Sequence, residues 1–130
     1  MEIDEVKKIL PKPDVDCLIE KGYEFEVNQL DGNIHVIIDA FGFPAYSPNQ
    51  ASILLILPAG YPNAKPDMFW TYPDVKLKDG RWPAACEVHQ DFHGKSWQRW
   101  SRHSPAPWRP GVDCLRNYLT MVIREIGKGI

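Results

Sequence analysis

YPNAKPDMFWTYPD stands at positions 61–74, and the chain from there to residue 108 decides how the rest is read. An apolar strand ending at Pro58 meets a rigid Tyr61-Pro62 turn, Pro66 pins the crossing, and Met68 to Thr71 supplies another short strand. Tyr72-Pro73-Asp74 closes it. Cys86 then stands alone in a long segment that continues through WQRWSRH at 97–103 to Trp108. Proline-pinned turns around a single cysteine predict a thiol held at the surface rather than in a core.

Outward toward the C-terminus, residues 72–111 hold Pro73, Pro83, Pro105, Pro107 and Pro110 and show neither helical nor strand period. Trp82, Trp97, Trp100 and Trp108 lie in the same stretch, and a disordered linker would lack such aromatics. A folded, irregular functional loop is expected there. Beyond Gly111, Val112, Leu115, Leu119, Val122, Ile123 and Ile126 recur at helical spacing until Gly127, which predicts a C-terminal helix packed on a sheet. Cys114 falls at its start, next to core-spaced Leu115.

Outward toward the N-terminus, residues 52–57 (SILLIL) read as a central strand. Phe41 to Asn49 reads as loop. Tyr23, Phe25 and Val27 alternate with polar residues, and Asp31-Gly32-Asn33 closes a hairpin into Ile34–Ile38, with His35 expected on the solvent face. Residues 3–10 read as a short helix stopped by Pro11 and Pro13, and residues 14–19 as a further turn with Cys17, Leu18 and Ile19 inward. The class is α+β: an N-terminal helix, a four-stranded antiparallel meander, a long irregular active-site segment and a C-terminal helix, in a single domain spanning 1–130.

Fifteen Lys and Arg against 17 Asp and Glu give a net charge of -2, which offers no electrostatic footprint for nucleic acid or an anionic membrane. No apolar run reaches the length of a membrane span, and Met1 is followed by Glu2, Asp4 and Glu5 rather than by a basic and then an apolar region. A soluble, cytoplasmic protein is expected. Three cysteines without a close pair imply reduced thiols.

Tyr61-Pro62 with Pro66, Tyr72-Pro73-Asp74, Cys86 and Trp108-Arg109-Pro110 resemble, in that order, the motifs of the ubiquitin-conjugating enzyme superfamily. The run 97–103 with Trp108 to Asp113 looks most like its prokaryotic ubiquitin-conjugating-like family E. The resemblance implies the matching fold, a ubiquitin-like protein and a ThiF-like activating enzyme as partners, and no cofactor, because the activating enzyme spends the ATP. It places Cys86 at the acceptor cysteine and Asp74 at the asparagine of the family's His-Pro-Asn. A carboxylate there would repel a developing oxyanion unless protonated or turned away. It also makes the acidic N-terminal helix a docking candidate for the activating enzyme.

Acyl transfer needs an accessible thiolate, an oxyanion donor and a base. Glu87 would raise the Cys86 pKa, so activation would have to come from His89, His93, Arg99 or Arg102. His103 with Ser101 is the second catalytic candidate, as a base beside the acyl group. Arg102 could bind a carboxylate or an acidic partner, and Tyr61, Trp97 and Trp100 are candidates for partner contact. The bland readings are an inert Cys86, tryptophans that only pack, and a hydrogen-bonded His103. Two other functions stay open: a non-catalytic module of the same fold that binds a ubiquitin-like protein or activating enzyme, and a zinc-dependent hydrolase built on Cys86, His89, His93 and His103.

Overall fold

The computed structural model describes residues 3–103 and 106–130; Glu2 and Pro105 lie outside them. The chain opens with α1 (Ile3–Ile9) and α2 (Lys12–Glu20). Pro11 and Pro13 separate them rather than end the helical region, because a missing N–H costs nothing at a helix start. Val6, Leu10, Val15, Cys17 and Leu18 point into the core, whereas Ile19, expected inside, is half exposed. Asp14 is buried on α2, where Oδ2 accepts from the Tyr61 hydroxyl at 2.6 Å and Oδ1 from the Leu115 amide at 3.1 Å. One carboxylate therefore caps the last helix and fastens the Tyr61-Pro62 turn. Burial pushes its pKa up, and these hydrogen bonds pull it back.

The main sheet is antiparallel and runs β1 (Phe25–Leu30), β2 (Asn33–Gly42), β4 (Gln50–Leu57), β5 (Phe69–Tyr72), β8 (Lys95–Trp100), β7 (His89–Phe92) in spatial order. The hairpin expected at Asp31-Gly32-Asn33 is present, with Asp31 and Gly32, at φ 52° and 81°, as its two turn residues and Asn33 already paired in β2. Six strands replace the four expected, because the segment read as irregular contains the β7–β8 hairpin. Its turn, His93-Gly94 at φ 54° and 76°, is of the same positive-φ kind. A separate pair, β3 (Tyr46–Ser47) with β6 (Lys76–Leu77), clips the chain after Asp74 to the loop before β4.

Both faces of the sheet are buried. Val36, Ile38, Ile53, Leu55, Phe69 and Trp100 face α3 (Leu115–Gly127), which buries Leu115, Tyr118, Leu119, Val122 and Ile126 against them. Val112 lies outside this helix and is exposed, as is Ile123; Cys114 is the N-cap, and its amide donates to Asn117 Oδ1 at 2.9 Å. On the other face Ile37, Leu54, Trp70 and Trp97 form a second cluster, flanked by Phe92. Among the described residues the cluster draws on strands and their turns and not on a helix, and the curl of the sheet covers it. Four strand spacings separate β2 from β7, about 19 Å on a flat sheet. Yet His35 Nδ1 on β2 lies 3.0 Å from His93 Nε2 in the β7–β8 turn. His35 is accordingly only 2% exposed, not on a solvent face.

This histidine contact has a pH signature. Desolvation, then the neighbouring His93, lower the His35 pKa below its ordinary value, while Asp31 acts in the opposite sense. A depressed folded-state pKa means that the unfolded chain binds more protons below about 6.5, so the stabilisation present above that pH is lost on acidification. Melting temperature should therefore fall more steeply between pH 7.5 and 5 in the native sequence than in His35→Gln; parallel curves would show that the pair carries no proton linkage. Among the described residues, no helix is long and apolar enough to cross a membrane.

Candidate functional site

Cys86 does not lie at the surface. Ala85 takes a left-handed φ of 61°, its carbonyl accepts from the Ser101 amide at 3.0 Å, and the Val88 carbonyl accepts from the Arg99 amide at 2.8 Å. The segment is thus laid along β8 with the Cys86 side chain turned into the main core, 0% exposed, where Sγ donates to the Ala84 carbonyl at 3.2 Å. Burial pushes its thiol up to about 12, against the downward pull of Arg102 and with a smaller upward push from Glu87. Of the activating groups considered for it, only Arg102 acts on its titration.

Arg102 is itself an internal staple. Nε donates to the Ala84 carbonyl at 3.2 Å, Nη1 to the Glu125 carbonyl at 3.0 Å and Nη2 to the Ile130 oxygen, with the guanidinium 4.9 Å over the Trp100 ring. It ties the Cys86 segment to the end of α3 and is turned away from any partner. Trp97 and Trp100 are also buried, with their rings packed inside the two apolar clusters. The Tyr61 hydroxyl donates to Asp14, burial and then that carboxylate raise its pKa, and Trp108 Nε1 donates to the Pro62 carbonyl at 2.8 Å. Both ends of the Tyr-Pro turn are therefore held from within.

Two polar groupings that contain candidate residues do reach solvent. In the first, His89 Nε2 lies 2.8 Å from Asp74 Oδ1, with the Trp82 ring against His89 and Lys76 Nζ 4.6 Å over Trp82. The carboxylate of Asp74 has a partner there. The backbone just after it is held by buried Gln98, whose Oε1 accepts from Thr71 Oγ1 and the Val75 amide and whose Nε2 donates to the Val75 carbonyl. An amide side chain thus steadies this turn from β8. In the second grouping, His103 Nδ1 lies 2.6 Å from Asp67 Oδ1 and its Nε2 3.4 Å from Ser101 Oγ, with both the histidine and the aspartate more than half exposed.

Compared with known families, the sequence matches the model of prokaryotic E2 family E over residues 10–128. The chain belongs to this family. Searches of curated proteins and of solved structures give no match. In this family E protein, His103 and Ser101 lie together, 3.4 Å apart, while Asp74 and Cys86 have separate surroundings. His89, His93 and His103 go to three different partners, Asp74, His35 and Asp67. Among the described residues no three His, Cys, Asp or Glu side chains gather in a metal-holding group, so the constellation of the zinc-hydrolase alternative does not assemble. A cleft of about 320 Å³ beside α3, lined by Lys65, Trp108, Arg109, Asn117, Met121 and Arg124, completes this side of the molecule.

Asp67 and Gln98 had no place among the sequence candidates. The signal for Gln98 was the strand period of Trp97 to Trp100, hidden by burial on both faces. Asp67 sits 36 residues from His103, and only the β5–β8 pairing joins them.

Proposed function

We propose that the family E protein is the conjugating component of a bacterial, cytoplasmic ubiquitin-like modification pathway. It meets an activating enzyme, accepts the C-terminal acyl group of a ubiquitin-like protein and passes it to an amine. The observation that carries this reading is the family match over residues 10–128, on an antiparallel sheet backed by a C-terminal helix. For Cys86 to be the carrier, its segment must leave β8. That step breaks the Ser101–Ala85, Arg99–Val88 and Arg102–Ala84 hydrogen bonds and exposes the thiol. At about 1 kcal/mol for each, the cost is about 4 kcal/mol, or roughly one molecule in a thousand open before a partner binds.

That burial favours a second reading, a module that binds a ubiquitin-like protein or activating enzyme without carrying it. Incubation with a ubiquitin-like protein and an activating enzyme from the same source, plus ATP, separates the two on a non-reducing gel. A thiol-sensitive adduct, lost in Cys86→Ala and converted to a thiol-resistant one in Cys86→Ser, is the result for a Cys86 carrier. Binding without any adduct is the result for the module.

A further inference from the structure

Ser101, His103 and Asp67 line up across one imidazole. The carboxylate is 2.6 Å from Nδ1 and the hydroxyl 3.4 Å from Nε2. A carboxylate at Nδ1 holds the tautomer with its proton there, which leaves the Nε2 lone pair facing the serine hydroxyl. The three come from two chain segments. Asp67 precedes β5 and Ser101 follows β8, just past the last ladder pair Phe69 and Trp100. Each position is fixed by its neighbours. Met68 has a left-handed φ of 59° and its carbonyl accepts from the Tyr118 hydroxyl, and the Ser101 amide is bonded to Ala85 beside the triply anchored Arg102. The side chains of His103 and Asp67 are 57% and 54% exposed, open to a large acyl donor in a way that Cys86 is not.

We propose that Ser101 is an acyl-accepting nucleophile, with His103 as its base and Asp67 as the residue that orients the base. The donor class is a thioester, and the assignment of that donor as a ubiquitin-like protein rests on the conjugating reading above. Ser101 Oγ attacks the thioester carbonyl carbon while its proton passes to His103 Nε2. The tetrahedral intermediate collapses, the carbon–sulfur bond breaks, and the leaving thiolate takes the proton from Nε2. The products are an oxygen ester on Ser101 and a free thiol. An amine then attacks the ester carbonyl, its proton passes to Nε2, and Oγ leaves and recovers that proton, giving an amide and free Ser101. The 3.4 Å separation is the loose geometry of a base awaiting its acyl donor.

The test uses the native chain with p-nitrophenyl acetate, read by nitrophenolate release and by mapping of the acetylated residue. Acetyl on Ser101 is expected, absent in Ser101→Ala and formed about a hundredfold more slowly in His103→Gln, with a smaller loss in Asp67→Asn. Acetyl only on lysines or Cys114, or unchanged release in Ser101→Ala, overturns the assignment. The conjugation assay then identifies the donor. An adduct that resists thiol, is cleaved by mild alkali and disappears in Ser101→Ala supports both readings. A thiol-sensitive adduct that persists in Ser101→Ala keeps the conjugating reading and overturns Ser101 as carrier. Acetylated Ser101 with no adduct in any variant keeps the nucleophile and overturns the ubiquitin-like donor.

Discussion

Cys86 stays unmodified while Cys114 is alkylated when the folded protein meets iodoacetamide at neutral pH. The expectation follows from burial, which acts on the thiol in two linked ways. It pushes the Cys86 pKa up to about 12 while the segment is closed, so the thiolate through which alkylation proceeds is scarce there. The sulfur is also sealed in the core, so the reagent reaches it only when the segment lifts from β8. Cys17, likewise buried and with a raised pKa, should share the protection. Peptide mass spectrometry after a timed pulse gives the three rates, and the same pulse in denaturant, where all three thiols label, sets the scale. Rapid labelling of Cys86 in the folded chain would mean that the segment opens at little cost, and the carrier role would return to it. Protection that disappears only with the activating and ubiquitin-like proteins present would make docking the event that uncovers the thiol.

Elements whose amphipathic pattern survives in one dimension were legible in the sequence. The α3 residues Leu115, Leu119, Val122 and Ile126 keep a helical period because one side of the helix faces water, and the Asp31-Gly32 turn announces itself through residues that tolerate positive φ. The β7–β8 hairpin did not announce itself. Trp97 packs on one face, Gln98 and Trp100 on the other, and both faces are covered, so polar and apolar residues no longer alternate. Its turn is His93-Gly94 rather than an asparagine or aspartate with glycine, a weaker signal.

The hairpin is what covers two residues that local sequence places in solvent. Its turn lies over His35, and β8 gives the Cys86 segment an edge to lie along, so both residues are buried by a contact that neither local pattern contains. In the site, the nearness of Ser101 to His103 was legible as two positions in one short run. Their meeting with Asp67 was not, since a contact between positions 67 and 103 depends on strand pairing that local sequence does not specify.

Trp100→Ala should cost about 4 kcal/mol of folding stability, the middle of the range for emptying a large aromatic site. The indole is 0% exposed, stacks on Phe69 at 5.2 Å and meets Phe43 and Tyr46 within 6 Å, while Nε1 donates to Thr71 Oγ1 at 2.9 Å. Truncation removes the shared contact of all three rings and leaves the Thr71 and Gln98 hydrogen bonds without their neighbour. A domain of this size is stable by about 5–15 kcal/mol, so the loss takes a large share of the total and lowers the melting temperature by about 15 °C. Trp100→Phe keeps most of the ring packing and gives up the indole N–H, for a smaller loss of about 2 kcal/mol. Calorimetry on the three proteins decides between packing and partner contact, because a partner-binding tryptophan would leave the melting temperature of the isolated chain unchanged. The consequence for chemistry follows from position. Trp100 carries the Arg102 guanidinium on its face and immediately precedes Ser101, so a loosened core in Trp100→Ala should also slow acetylation of Ser101, whereas Trp100→Phe should retain it.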